Sequence, residues 1–505
     1  MHPNSHKNTL GHIPLTLAAF FLSLIQYFLL VILVPNENKM FQLVQSLACG
    51  IKKIAKPDMK KSSSICFGIT QPFQISLLLL YIVVFVLSSV STLKLGSSPG
   101  GYDGAQVWRV STMDPQQYKD LKKQLSAEVI HRFGLTVDFM VGTSQVEEAK
   151  KFLASSKLKY TVLSDDVGTK MKAAQLSAEG PLYRDSKLQS QKGPSDFKFS
   201  FKKYHPLKEI YGYLDHLSKQ YSSFVSTEVI GKSFEQRDIK VLKISCGDTG
   251  APWFWIDAGI HAREWVAPAT ALYIVRELVR PNRRAKLPEA MRKINFFVLP
   301  VLNPDGYEFT WSKDRMWRKN RRPGPRNRTD CPGVDLNRNF DMKWGFGGED
   351  GSSGDPCDES YRGTAADSEP ETKVFRDYVK KNLPKIKGFV TFHSYSQLIM
   401  YSYSYANILP PNHKKLHALG ELAARNVQKV TKAKYTVQAS AVMYPAAGVS
   451  DDWAFQQKIP YVYCVELRDT GNNGFILPPS EIIPTGQDGF EIIKTIAEEI
   501  VKLPR

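Results

Sequence analysis

His261-Ala262-Arg263-Glu264 sets an imidazole and a carboxylate three residues apart. They directly follow an apolar run, residues 253–260, that reads as a buried strand. Where a strand gives way to a helix, side chains at that spacing can face one metal ion. A second imidazole, His393, follows another strand-like run, residues 387–392. It would complete a His, Glu, His set with water in the fourth position of a zinc ion. Open α/β sheets bind ligands beyond the carboxyl ends of their strands, and both ligand groups lie there. An H-x-x-E pair also occurs as a plain surface contact, so the placement of His393 is what gives the pair chemical meaning.

Four separated motifs stand in order along the chain: His261-Ala262-Arg263-Glu264-Trp265, Asp335-Leu336-Asn337-Arg338-Asn339-Phe340, His393-Ser394-Tyr395-Ser396-Gln397 and Glu466-Leu467-Arg468-Asp469-Thr470-Gly471. Together they resemble the pancreatic-type zinc carboxypeptidases A and B, and the likeness runs from near Tyr102 to the C-terminus. The resemblance implies an α/β catalytic domain with a mixed eight-stranded sheet flanked by helices, preceded by a small antiparallel α+β propeptide domain. It implies one Zn2+ held by His261, Glu264 and His393, with Glu466 as the general base that activates the attacking water. It makes Arg318 the stabiliser of the oxyanion, Asn337 and Arg338 the clamp for a terminal carboxylate, and Tyr444 a mobile side chain that closes over the bound C-terminus. Arg263, Ser394 and Tyr395 become further substrate contacts. A disulfide between Cys331 and Cys357 also follows from the resemblance.

Peptide hydrolysis needs such groups because a peptide carbonyl is a poor electrophile and water a poor nucleophile. Zinc addresses both. A nearby carboxylate can take the proton and pass it to the leaving amine, and a fixed guanidinium distinguishes a terminal carboxylate from an internal peptide bond by bidentate hydrogen bonding. On residue type alone other readings stay open. Glu466 also reads as a sheet-edge carboxylate paired with Arg468, and Arg318 as part of a solvated basic face with Arg315 and Arg321. Asn337 and Arg338 also read as a turn cap, and Tyr444 as one more loop aromatic among 22 tyrosines.

Ser450-Asp451-Asp452-Trp453 bears on specificity. In the family resembled, A-type members carry an apolar residue where Asp451 stands, and B-type members an aspartate at the floor of the side-chain pocket. A buried carboxylate without a partner is costly, so a Lys or Arg side chain of the substrate would be favoured there. Ser404 and Ala446 resemble the small pocket lining of the B type, and Asp452 reads as structural. The expected activity is release of C-terminal Lys or Arg from peptides and proteins, by an enzyme made as a proenzyme. A regulatory processing carboxypeptidase, an A-type enzyme and a silent peptide-binding module are the rivals. The propeptide-like unit, Asp451 and the intact catalytic set argue against them in turn.

The elements that must position these residues fall into two units. Residues 105–111, 135–141 and 159–163 read as strands, and 115–128 and 146–155 as helices. A polar stretch, residues 180–200, then carries Arg184, Lys187, Lys192 and Lys198 and reads as an exposed connector open to a trypsin-like protease, with Lys192 the expected cut. Beyond it, strand-like runs 253–260, 294–302, 387–392 and 461–467 alternate with helical patterns at 267–280 and 369–381, the mark of an α/β domain. The expected divisions are 1–98, 99–192 and 193–505.

The first segment holds two uncharged apolar stretches, residues 14–34 and 67–93, each long enough to cross a bilayer. The second follows Met59-Lys60-Lys61 and ends in small residues, the order of a secretory signal. Secretion is expected, with a membrane anchor bearing an extracellular catalytic domain as the alternative. Cys331 and Cys357 suit an oxidising compartment, while Cys246 and Cys464 read as buried thiols. The 505 residues carry 67 Lys and Arg against 49 Asp and Glu, a formal charge of +18. That charge attracts polyanions. No zinc-finger spacing, RNA-binding aromatic motif or basic zipper accompanies it, which excludes nucleic acid and leaves a glycosaminoglycan such as heparin, or no polyanion.

Overall fold

The computed structural model describes residues 101–111, 114–124, 128–178, 199–325, 330–348 and 351–504. The two apolar stretches near the N-terminus, the connector basic residues Arg184, Lys187, Lys192 and Lys198, and the expected division at 192/193 lie outside the described residues. Among the described residues, no helix is long and apolar enough to cross a membrane.

The N-terminal unit runs β1 (Gln106–Val110), α1 (Pro115–Gln124), β2 (Glu128–Phe133), β3 (Thr136–Val141), α2 (Val146–Ser155), β4 (Tyr160–Ser164) and α3 (Val167–Ala178). Its strands form one antiparallel sheet in the order β2-β3-β1-β4. Trp108, Val110, Val137, Phe139 and Val141 take alternate positions along β1 and β3 and pack with Ala149, Phe152 and Leu153 of α2. Period two on the strands thus meets period 3.6 on the helix.

Two elements differ from the sequence reading. The helix expected over 115–128 ends at Gln124, and Glu128 instead opens β2, whose pairing with β3 draws the β-branched Val129 and Ile130 into the sheet. The helix α3, unread in the sequence, begins after Asp166, whose Oδ1 accepts the Thr169 N–H at 3.0 Å as a cap.

The larger unit continues through α4 (Leu207–Gln220), β5 (Val225–Lys232), β6 (Asp238–Ile244), β7 (Trp253–Ala258), α5 (Val266–Val279), β8 (Asn295–Leu299) and α6 (Pro304–Ser312). It ends with α7 (Pro370–Asn382), β9 (Ile386–Ser394), β10 (Leu398–Tyr401), α8 (His413–Thr431), β11 (Thr436–Ala439), α9 (Ser450–Gln456), β12 (Tyr461–Leu467) and α10 (Ile482–Ile500). Its eight strands lie in the order β11-β10-β12-β9-β7-β8-β6-β5. The central four, β12, β9, β7 and β8, are mutually parallel, and β10 and β6 pair antiparallel to their outer members.

Helices cover both faces. On β7, Phe254, Ile256 and Ala258 join the core beneath α4, α5, α8 and α10, while Trp255 joins the core of Phe375 and Val379 on α7 and Trp453 on α9. The same alternation divides β9, with Val390 and Phe392 on the first face and Phe389 on the second. His393 therefore shares the second face with Phe389, and Glu466 shares it with Val462.

Cys331 and Cys357 form a disulfide across a sequence separation of 26. It ties down the loop whose Gly351 carbonyl accepts the Arg338 Nε–H at 2.5 Å. Gly351 packs so closely on the Pro445 carbonyl that a Cβ there would collide with it. Closing a loop of this length stabilises the fold by about 3 kcal/mol through the unfolded chain. Cys357→Ser should lower the non-reducing denaturant midpoint by an amount corresponding to roughly that energy. A midpoint equal to wild type would show that the loop holds itself.

Candidate active site

The chain leaves β7 through Gly259, whose φ of +66° would strain any side chain and whose Cβ position is already tight against Pro268, Pro300 and Val301. That turn delivers His261 and Glu264 ahead of α5, while His393 comes from the end of β9. The ligand atoms of His261, Glu264 and His393 all lie within 4.8 Å of one another, and all three residues are buried.

His261 Nδ1 is 2.7 Å from Glu264 Oε1, His393 Nδ1 is 3.1 Å from Glu264 Oε2, and the two Nδ1 atoms are 3.2 Å apart. Two ring nitrogens facing each other at that distance beside a carboxylate suit a shared cation better than a shared proton. Two imidazole nitrogens and one carboxylate oxygen are a zinc donor set that leaves a position open. Zinc is the cofactor of this site.

The outward ring nitrogens have partners of their own, the usual way a ligand imidazole is oriented. His261 Nε2 faces Asp335 Oδ1 at 3.2 Å. His393 Nε2 lies 3.4 Å from Thr391 Oγ1, which donates to Asp257 Oδ1 at 2.8 Å. Asp335, fully buried, also accepts both Arg318 Nε–H at 3.1 Å and Nη2–H at 2.8 Å, and the Asn337 N–H at 2.9 Å. Burial opposes its charge. The Arg318 and Arg338 guanidinium groups outweigh that and hold its carboxyl well below the usual carboxylate range. The sequence reading quoted Asp335 within a motif without giving it a task, and it gave none to Asp257 or Thr391. The only signal was that Asp335 stands two and three residues before Asn337 and Arg338.

Glu466 lies one residue before the end of β12, opposite His393 in the parallel register. Its Oε2 is buried without a hydrogen-bond partner, and burial pushes its carboxyl up. The pair with Arg468 does not form. Arg468 instead binds Asp488 through Nε at 2.6 Å and Glu481 through Nη1 at 3.0 Å. Nor do the three arginines make one basic face. Arg315 is buried over the Trp265 ring, Arg321 stacks on Phe309 and Trp317, and Arg318 reaches to 4.0 Å from Glu264.

Arg338 is buried and donates to the Tyr444 hydroxyl at 3.1 Å and to the Asn337 carbonyl at 2.7 Å. Asn337 Oδ1 accepts the Ser450 N–H at 2.9 Å, which joins this pair to the start of α9. One residue on, Asp451 is 2% exposed and accepts the Ser404 and Ser440 hydroxyls, at 3.1 and 3.4 Å. Burial raises its carboxyl. Asp452 accepts the Ser404 and Tyr405 backbone N–H groups and anchors the neighbouring loop. Ala446 donates its N–H to the Ser404 carbonyl at 2.8 Å, so the two expected lining residues stand together, Ser404 in contact with Asp451.

Arg263, Ser394 and Tyr395 lie where the N-terminal unit meets the larger one. Arg263 Nη2 donates to the Ile130 carbonyl of β2 at 3.2 Å, and Nη1 is 3.5 Å from Glu128. The Tyr395 hydroxyl donates to Asp138 Oδ2 at 2.7 Å, and His131 Nε2 is 2.6 Å from Ser396 Oγ. The Ser394 N–H faces Glu264 Oε2 at 3.3 Å, and its hydroxyl is buried without a partner. Phe475, unread in the sequence, stacks under the Arg263 guanidinium and joins Tyr102, Ile130 and Met171 in an apolar seam.

Residues 210–492 match the family described as zinc carboxypeptidase, and residues 108–173 match the carboxypeptidase activation peptide. The chain is 36% identical over 426 residues to human carboxypeptidase B, covering 81% of this chain and 97% of that one. It is 38% identical over 408 residues to mouse carboxypeptidase A2, covering 79% and 94%. Among solved structures, thrombin activatable fibrinolysis inhibitor superposes with a TM-score of 0.70 at 31% identity, covering 80% of this chain and all of that one. Carboxypeptidase A from Helicoverpa armigera does so at 0.69 and 31%, covering 79% and 98%. With an activation peptide ahead of a buried His, Glu, His centre at the carboxyl ends of parallel strands, this chain belongs to the zinc carboxypeptidase family.

Proposed function

We propose that the enzyme is a secreted B-type carboxypeptidase that releases Lys and Arg from the C-termini of peptides and proteins once a trypsin-like protease has cut the connector. Relatives of A and B type stand at similar identity, so overall likeness does not choose between them. The observation that carries the choice is Asp451. It is a buried carboxylate touched by two hydroxyls and by no cation of the described residues. Such a group is costly to bury, and a substrate guanidinium or ammonium would offset that cost.

In this reading Arg338 and Asn337 hold the terminal carboxylate, and Tyr444 closes over it from the position it already takes beside Arg338. Arg318, oriented by Asp335, faces the oxyanion as it develops. Glu466 takes the proton of the attacking water and delivers it to the leaving amine. Bound Zn2+ supplies polarisation of the scissile carbonyl and a lowered pKa for the attacking water. The N-terminal unit lies on Arg263 and Tyr395, both substrate contacts in this reading, so the uncut chain is held inactive. The disulfide fits an oxidising compartment and hence secretion.

Trypsin treatment should raise the hydrolysis rate and create a new N-terminus between Arg184 and Lys198, with Gly193 expected after a cut at Lys192. Equal rates before and after treatment would discard the proenzyme reading. Glu466→Gln should abolish turnover at unchanged zinc content, whereas His393→Ala should lose the metal. A Glu466→Gln enzyme that turns over near the wild-type rate would remove this residue from the mechanism.

Asp451→Ala should depress cleavage of peptides ending in Arg by roughly 30-fold or more relative to those ending in Phe, since an unpaired, desolvated cation costs about 2 to 5 kcal/mol. The measured quantity is the ratio of kcat/KM for two peptides differing only in the last residue. A ratio that favours Phe in the wild type, or that the substitution does not move, would place the enzyme with the A type.

A further inference from the structure

The edge of the sheet opposite the zinc site is strongly basic. Because β7, β8, β9 and β12 are parallel, the segments that enter them converge at the end away from His261, His393 and Glu466. Backbone bonds stitch these entries together. Trp253 N–H donates to the Lys385 carbonyl and Asn295 N–H to the Pro252 carbonyl, each at 2.9 Å. The segment entering β8 carries Arg280, Arg283, Arg284, Lys286, Arg292 and Lys293 against one carboxylate, Glu289. The segment entering β9 adds Lys380, Lys381 and Lys385 with no acid between them, and Lys458 precedes β12.

Internal pairing does not consume this charge. Arg283 pairs with Glu277 and Lys293 with Glu289, while Arg284 donates to the Leu278 and Ser245 carbonyls. Arg280, Lys286, Arg292, Lys385 and Lys458 are exposed and enter no salt bridge among the described residues. Complementing the carbonyl ends of helices accounts for Lys380 and Lys381 in the last turn of α7. It does not account for Lys286, Lys385 or Lys458, which lie in turns. Entry points of neighbouring strands sit about 5 Å apart, so the cations form a band rather than a point.

We propose that this edge is a docking surface for a sulfated glycosaminoglycan, a linear polyanion that would lie along the band and leave the cleft open. The surface lacks what the other polyanions need. None of the exposed large apolar side chains comes from these segments, so it offers neither a stacking platform for single-stranded nucleic acid nor an apolar wedge for a bilayer. The disulfide places the chain where sulfated polysaccharides occur. The inference does not rest on the residue preference of the pocket.

The test uses heparin as probe with full-length protein. The triple charge reversal Lys286→Glu, Arg292→Glu, Lys385→Glu should weaken heparin binding by at least about tenfold near 0.15 M salt, and flatten the slope of log affinity against log salt by about 2 to 3, one counterion per lost contact. A control reversal of equal charge, Lys429→Glu, Lys432→Glu, Lys434→Glu, lies toward the start of β11 and should change affinity by less than about twofold, leaving net charge alone insufficient. After trypsin treatment, hydrolysis of a short peptide should be the same for both variants and wild type, which reports folding. Equal loss in the two triples would overturn the proposal, as would tighter binding to a single-stranded oligonucleotide or to anionic vesicles than to heparin.

Discussion

One buried carboxylate organises the catalytic face. Asp335 is shared by a zinc-ligand imidazole, by Arg318 and, at 3.7 Å, by Arg338. A charge removed from water survives only with several partners, and here they are two guanidinium groups and an imidazole of the metal set. The arrangement runs both ways. Asp335 needs the cations to remain ionised, and they need it to keep one orientation in a site where sub-ångström placement decides rate. The metal set, Arg318 and Arg338 are therefore one electrostatic unit. The Cys331–Cys357 loop helps to hold it through Gly351.

Much of this was legible in the chain. The four apolar runs expected as buried strands are the four parallel strands at the centre of the sheet, because strands covered on both faces are apolar throughout and stand out. The flanking strands β5, β6 and β11 mix polar and apolar residues, and β10 is apolar but only four residues long; none of them was read. Neither was β2, whose single fully buried side chain, Ile130, gives no pattern to follow. The metal set could be found because His261, Glu264 and His393 carry types and spacing that few other tasks require. Asp335, Asp257 and Thr391 act through distance, and no local sequence reports that His393 and Thr391 share a sheet face with Asp257. The competing reading of Glu466 with Arg468 failed for the same reason, since the acids that claim Arg468 come from Glu481 and Asp488, farther along the chain.

The two faces of the sheet have different physical demands. Beneath α4, α5, α8 and α10 the side chains form a large continuous apolar core, and nothing there needs to move. On the face of α7 and α9 the apolar core stops short of the strand ends, where Thr391, His393, Asp451 and Glu466 replace it. On that side Glu466 Oε2 is buried without a hydrogen-bond partner.

The seam between the two units has a consequence for timing. Arg109 binds Asp138 through two bonds of 2.7 Å and the Thr470 carbonyl at 2.9 Å, Tyr102 donates to Asp314 at 2.6 Å, and Lys170 reaches the Asn472 carbonyl at 2.9 Å. None of these bonds involves the connector. Severing it would leave each of these bonds in place and change the statistics of rebinding, from a tethered encounter at millimolar effective concentration to a bimolecular one at whatever concentration the fragment has. The chain thereby separates an irreversible event from a reversible one. How long the freed fragment lingers would then depend on dilution and on destruction of the fragment, so that the same molecule would wake slowly where it is concentrated and promptly where it is dilute.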